Sequence, residues 1–235
     1  MKLLVAIPAW NEEHSLGYVI AEVKSHIGEA HILVVDDGST DKTSFVAKTN
    51  GASVISLPFN VGVGGALRVA FKYAVENDFT HVMQIDADGQ HLPSEAKQLL
   101  NSASSDSVAV GSRFLENPNN YRTSIGRRFA MKVLAKITQW ICKTPLTDVT
   151  SGFRIASGRA VEVFAREYPR DYLGDTVESL IIAHRFGIPI REVPVKMKQR
   201  EYGTPSQNLF KSTWYLSRAL LMIGLAVLKK QSDRS

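Results

Sequence analysis

Along this chain, short apolar runs alternate with longer stretches in which apolar positions recur every three or four residues. The short runs are Leu3 to Ile7, Ile32 to Val35, Ser53 to Leu57, His81 to Ile85 and Ser107 to Val110. Runs of that length bounded by turn residues predict strands buried on both faces. The stretches between them predict helices from about Ser15 to His26, from Asp41 to Asn50-Gly51, from Gly64 to Asn77, and from Pro93 to about Asn101. Asp41 immediately precedes the second of these and reads as its cap, and Pro93 suits a first helical turn. Repeated β-α-β alternation predicts an α/β fold: a mainly parallel sheet covered by helices on both faces.

After Gly111 the pattern changes. Asn117-Pro118-Asn119-Asn120 reads as a loop, and Ser124 to Ile141 has helical periodicity. There Ile125, Phe129, Val133, Ile137 and Ile141 form an i+4 ladder, with Ala130 and Leu134 beside it and Arg128, Lys132 and Lys136 along the neighbouring face. Such a basic stripe is either solvated surface or a contact for anionic lipid. Further helices are expected over Ser157 to Glu167 and Thr176 to Phe186. Ile188 to Lys198 reads as an edge or bent strand, because it carries Pro189 and Pro194. The last helix runs from about Ser206 to Lys230 and includes an uncharged run from Ala219 to Leu228. That run is shorter than the about 20 residues of a bilayer crossing, and Arg218 stops its extension. It is expected to pack on its own core, lie in a membrane interface with Trp214 and Lys229-Lys230 as anchors, or dock a small membrane-protein partner.

The 235 residues suit one large domain with an appendage, divided here as 1–205 and 206–235. A net charge of +5 fits an anionic ligand or a membrane surface but argues for no nucleic acid. Cys142 is the single cysteine, which excludes an intrachain disulfide and gives no sign of secretion. Met1-Lys2 leads straight into the first strand, so no signal peptide is expected.

The chemistry concentrates where strands end. Pro8 to Glu13, Asp36 to Asp41 and Asp86 to His91 each follow an apolar run. In open α/β sheets ligands bind beyond the carboxyl ends of the strands, so these clusters predict one shared site. In Gln84-Ile85-Asp86-Ala87-Asp88-Gly89-Gln90-His91 the side chains of Asp86, Asp88 and Gln90 fall on one side of an extended segment. Three oxygen donors at one point suit a hard divalent cation that keeps positions for water and phosphates. The alternative is an acidic Asp-Gly turn. Gly62, Gly64 and Gly65 permit close backbone approach at a helix N-terminus, but Leu67 stands where a dinucleotide fingerprint needs its last glycine. That argues against a nicotinamide-dependent oxidoreductase.

Several separated motifs together resemble one family. Pro8-Ala9-Trp10-Asn11-Glu12-Glu13, Val35-Asp36-Asp37-Gly38-Ser39-Thr40-Asp41, Asn60-Val61-Gly62-Val63-Gly64-Gly65-Ala66, Asp86-Ala87-Asp88-Gly89-Gln90-His91, Gly111-Ser112-Arg113 and Thr147-Asp148-Val149-Thr150-Ser151-Gly152-Phe153-Arg154 occur in order. The chain resembles the family 2 glycosyltransferases of GT-A fold, most closely the dolichyl-phosphate mannose synthase branch of the polyprenyl-phosphate sugar transferases. The resemblance covers about residues 3 to 205 and departs from the motif at Trp10, where tyrosine is usual.

What the resemblance implies is a metal-dependent, inverting transfer of a hexose from a GDP- or UDP-linked sugar to a polyprenyl phosphate. It implies that Pro8, Trp10, Glu12, Val35 and Asp37 hold the base and ribose, with Gly62 beside them. Asp86, Ala87 and Asp88 would border the diphosphate; Asp86, Asp88 and Gln90 would hold Mg²⁺ or Mn²⁺. Arg113 and Arg200 would face phosphates, with Ser151 and Arg154 on the acceptor side. The lysine that the branch carries after its C-terminal arginine is Ser206 here, with Lys211 or Arg154 as substitutes, and transmembrane helices found in some relatives are not expected. An alternative acceptor is a glycan hydroxyl in cell-surface polysaccharide assembly, which needs a base; Asp175 and Glu178 are the candidates. Without that role they read as the acidic first turn of a helix. A non-catalytic nucleotide-sugar binding protein is the outsider. The expected location is cytoplasmic, peripheral at the membrane's cytoplasmic face.

Overall fold

The computed structural model describes residues 1–116, 125–169 and 175–198. Arg200, Ser206, Lys211, the loop at 117–120 and the helix expected over 206–230 lie outside the described residues. Seven strands form one sheet: β1 (Leu3–Ala9), β2 (His31–Asp36), β3 (Ser53–Ser56), β4 (His81–Gln84), β5 (Val108–Ser112), β6 (Arg154–Ser157) and β7 (Ile190–Pro194). Seven α-helices accompany them: α1 (Leu16–Ile27), α2 (Thr43–Thr49), α3 (Val63–Glu76), α4 (Ala96–Ser102), α5 (Ile125–Cys142), α6 (Arg159–Glu167) and α7 (Asp175–Arg185).

The strand order is β3-β2-β1-β4-β6-β5-β7. The chain runs outward from β1 through β2 to β3, then returns to place β4 on the other side of β1. That reversal opens a crevice beyond the carboxyl ends of β1 and β4, the usual ligand position in such sheets. Residue alternation along each strand builds a core on either face. Leu4, Ala6, Leu33, Val35, Val82, Val108 and Val110 pack with α3, α6 and α7. Leu3, Val5, Ile7, Ile32, Val34, Met83 and Ala109 pack with α1 and with Leu99 of α4.

Four details differ from the sequence reading. First, β6 was not expected. It lies between β4 and β5, antiparallel to both, with Gln84 opposite Arg154. Its four residues are buried without alternation, and they merge with the helix expected from Ser157, which begins at Arg159. Second, the buried face of α5 is Met131, Ala135, Thr138 and Cys142, whereas Phe129 of the expected ladder is 70% exposed. Third, Asp41 caps from further back: its Oδ1 accepts from the amide of Thr43, the first residue of α2, at 2.9 Å. Fourth, the turn opened by Pro93 is 3-10 rather than α. The edge position expected for the proline-bearing strand is where β7 sits. Among the described residues no helix is long and apolar enough to cross a membrane.

Candidate active site

Trp10 follows directly on β1 and is 53% exposed at the mouth of the crevice. Beside it, the turns after β1 and β2 are laced into one unit. Asn11, in a left-handed conformation, accepts from the Thr40 amide at 2.8 Å and donates its own amide to Ser39 Oγ at 3.0 Å. Glu12 donates its amide to Thr43 Oγ1 at 2.9 Å, and its carboxylate accepts from Ser15 Oγ at 2.8 Å. Asn tolerates the left-handed region better than most residues. Pro8 and Val35 are paired across β1 and β2, and Val35 is only 1% exposed, so its side chain belongs to the core.

Asp37 joins this unit to the glycine-rich turn. Its two carboxylate oxygens accept from the amides of Val61 at 2.7 Å and Gly62 at 2.9 Å. Burial raises its pKa, and those two amides oppose the rise. Gly62, at φ 84°, caps α3 in a conformation that favours glycine. A Cβ on Gly64 would run into the Pro169 carbonyl and lie 3.2 Å from the Cβ of Asp175, so this glycine permits α3 to approach that segment.

The metal-type cluster follows β4. Asp86 has 36% of its side chain exposed, and Asp88 and Gln90 are half-buried. Asp86 is held on several sides: Gln84 donates Nε2–H to Oδ1 at 2.9 Å, and the Asp86 amide donates to His91 Nδ1 at 3.0 Å. His91 Nε2 lies 3.5 Å from Asp86 Oδ2, and its ring stacks on Phe153 with centroids 5.1 Å apart. Gly152 lies against this carboxylate; a Cβ there would be 2.8 Å from Gln84 Nε2 and 3.0 Å from Asp86 Oδ2. Asp88 Oδ1 accepts from the Gln90 amide at 3.0 Å, which tightens the turn. Residues 87 and 88 form a turn, with Gly89 at φ 75°, in place of the extended segment expected; the side-chain oxygens of Asp86, Asp88 and Gln90 are each half-buried and of the donor type that suits a hard divalent cation. Among the described residues no group of three or more His, Cys, Asp or Glu could cage a metal. A cation here would therefore complete its shell with water and substrate phosphates.

Arg113 follows β5, and its guanidinium fork closes on Asp148: Nε to Oδ2 at 2.6 Å and Nη2 to Oδ1 at 2.7 Å. Nη2 also donates to Thr150 Oγ1 at 2.9 Å. Glu192 of β7 accepts from the amides of Thr147 and Asp148 at 2.7 and 2.6 Å, holding that turn in place. Arg154, expected on the acceptor side, is turned inward. It is buried and donates to the carbonyls of Ser151, Val149 and Thr176 and to Ser179 Oγ, at 2.6 to 2.9 Å. Four donor bonds to the protein make it a brace for the segments around it, and burial lowers its pKa. Ser151 is buried too, its Oγ accepting from the Phe153 amide at 3.3 Å.

Asp175 opens α7 and is 2% exposed, with Oδ2 lacking a hydrogen-bond partner among the described residues. Burial pushes its pKa up to about 6, Arg154 opposes the rise, and the charge of Asp86 adds to it. Glu178, one turn on, is half-buried. Sequence reasoning gave no role to His91, Gln84, Asp148 or Glu192. His91 and Asp148 stood inside the quoted motifs, which was the available signal; Glu192 carried none.

The family model described as Glycosyl transferase family 2 matches residues 4–164. The chain belongs to that family. Its fold is GT-A: the glucosyl-3-phosphoglycerate synthase of Mycobacterium tuberculosis, solved with Mn²⁺, UDP-glucose and phosphoglyceric acid, superposes with a TM-score of 0.70 at 19% identity, over 96% of this chain and 79% of that one. The undecaprenyl-phosphate mannosyltransferase of Micrococcus luteus is 29% identical over 86% of this chain and 86% of its own. The UDP-N-acetylglucosamine–dolichyl-phosphate N-acetylglucosaminyltransferase of Methanococcus voltae is 30% identical over 86% and 87%. The protein is a glycosyltransferase.

Proposed function

We propose that the protein transfers a hexose, with inversion, from a nucleotide-diphosphate sugar to a polyprenyl phosphate, working peripherally at the cytoplasmic face of a membrane. The observation that carries the proposal is the half-open Asp86/Asp88/Gln90 oxygen cluster at the crevice between β1 and β4. Two relatives that match most of this chain, an undecaprenyl-phosphate mannosyltransferase and a dolichyl-phosphate N-acetylglucosaminyltransferase, support the acceptor class.

In this reading the joined turns after β1 and β2, with Pro8, Trp10, Glu12 and Asp37, receive the base and ribose, and Gly62 lies beside them. Val35 contributes through the backbone it positions. The diphosphate lies along Asp86, Ala87 and Asp88; Arg113, whose fork closes on Asp148, would reach a phosphate only by opening that pair, and Arg200 is assigned a phosphate by the family resemblance alone. Mg²⁺ or Mn²⁺ held by Asp86, Asp88 and Gln90 would neutralise charge on the departing nucleotide diphosphate. An acceptor phosphate oxygen attacks the anomeric carbon, forming a C–O bond as the bond to the donor diphosphate breaks. With a second pKa near 6, a phosphate monoester is largely dianionic at neutral pH and needs no protein base. The chain's residues then act by positioning and electrostatics.

One observation favours a second reading. The buried Oδ2 of Asp175, which has no hydrogen-bond partner among the described residues and a pKa raised toward neutrality, has the character of a general base for a glycan hydroxyl. The test is incubation with a panel of nucleotide-sugars and short polyprenyl phosphates, with and without Mn²⁺ or Mg²⁺, reading products by mass. A metal-dependent sugar-phosphopolyprenol is the expected product. Transfer only to a glycan hydroxyl, abolished in Asp175→Asn, would replace the first reading by the second.

A further inference from the structure

We propose that the outward face of α5 is a docking surface for an anionic lipid bilayer. This rests on, and deepens, the polyprenyl-phosphate reading, because it names the surface that would bring the enzyme to a lipid-borne acceptor. In an α-helix positions i, i+4, i+7 and i+11 share one stripe. On α5 that stripe is Phe129, Val133, Lys136 and Trp140, flanked by Lys132. Phe129 is 70% and Trp140 76% exposed, while the opposite side of the helix carries the buried Met131, Ala135, Thr138 and Cys142.

Isolated exposed aromatics are ordinary, but these two lie about 16 Å apart on a single stripe. Lys132 and Lys136 beside them are exposed, as is Lys143 just past the helix end. The 18 residues of α5 include Arg127, Arg128, Lys132 and Lys136 and no acidic residue. An acid-free basic helix with outward aromatic rings complements the anionic interface of a bilayer, where rings enter the headgroup region and ammonium groups stay in water. The chain connects this surface to the site at both ends. Arg113 precedes α5, and the Thr147–Thr150 turn that holds Arg113 follows it.

The test uses the full-length protein and co-sedimentation with phosphatidylcholine vesicles, with and without phosphatidylglycerol and free of polyprenyl phosphate. Wild type should bind the anionic vesicles, and Phe129→Ser/Trp140→Ser and Lys132→Glu/Lys136→Glu should each bind at least about tenfold more weakly. All three proteins should turn over a short, detergent-soluble acceptor alike. Failure of the wild type to bind overturns the proposal, as does equal binding to neutral vesicles. So do unchanged binding in both variants, which would assign it to another segment, and a change of oligomeric state on replacing the aromatics, which would mark the face as a subunit contact. Loss of vesicle binding in the variants would sustain the surface even if no lipid-linked product formed, so the two readings fail separately.

Discussion

Asp88 and Asp175 carry the same functional group in opposite surroundings, and different experiments expose each. Asp88 is half-open at the crevice. Replacing it with Ala removes a donor from the cation site and should lower kcat at least about a hundredfold, while loss of the Gln90 amide bond should cost only about 1 kcal/mol of stability. Asp175 is buried, and its raised pKa means that the folded state holds the proton more tightly than the unfolded chain. Stability from this group is complete below about pH 4 and is lost as the pH rises toward about 6. Denaturant titrations across that window should show the slope in wild type and a flatter profile in Asp175→Asn. Arg113 and Asp148 form a third case, an ion pair in which Arg113 is 10% exposed and Asp148 fully buried. Asp148→Ala would strand a buried guanidinium and should cost about 3–5 kcal/mol by chemical denaturation. Thr150→Val, which removes a single neutral partner, should cost far less.

At the scale of elements, close packing sets the tolerance. The N-terminus of α3 approaches the chain after α6 so closely that a methyl group on Gly64 meets a backbone carbonyl, which cannot swing away. Gly64→Ala should therefore destabilise the protein by about 1–3 kcal/mol, measurable as a lower melting temperature. Most elements were legible from apolar periodicity alone: the strands from β1 to β5 and the helices between them lie within a few residues of their expected places. The strand β6 was not, because four buried residues in mid-sheet show no alternation and run into a helix signal. On α5 the apolar ladder was read correctly as helical, but the ladder does not mark the buried face: Ile137 and Ile141 pack against the core, whereas Phe129 is exposed. Several stripes of that helix carry apolar residues, and only the packing against its neighbours shows that Met131 and Ala135 turn inward and Phe129 outward.

Across the whole molecule, three sequence-distant segments meet at one end of the sheet. Because β6 runs antiparallel to β4, its start lies at the finish of β4, with Arg154 opposite Gln84. That brings Gly152 and Phe153 against Asp86 and His91, some 60 residues earlier in the chain. The final described residues join them, with the Lys198 amide donating to the Gln90 carbonyl at 2.9 Å. Stripping divalent cations with a chelator should abolish turnover while leaving the fold intact, since both core faces are packed from apolar side chains that do not include Asp86, Asp88 or Gln90. Circular dichroism and a product assay on one sample would check this, and Mn²⁺ or Mg²⁺ should restore activity.

The linear order of residues determined what depends on near neighbours: strand and helix period, turn chemistry, and the Asp86, Asp88 and Gln90 donors two residues apart. It also marked which strand ends carry polar groups, and so the end of the sheet where the site lies. Only the tertiary structure decided which of those groups already hold protein partners. Asp37 is tied to Val61 and Gly62, Arg113 to Asp148, and Arg154 to four interior acceptors. Such pairing is a matter of burial and of competing partners, and those partners come from strands whose adjacency is set by sheet order rather than by sequence distance.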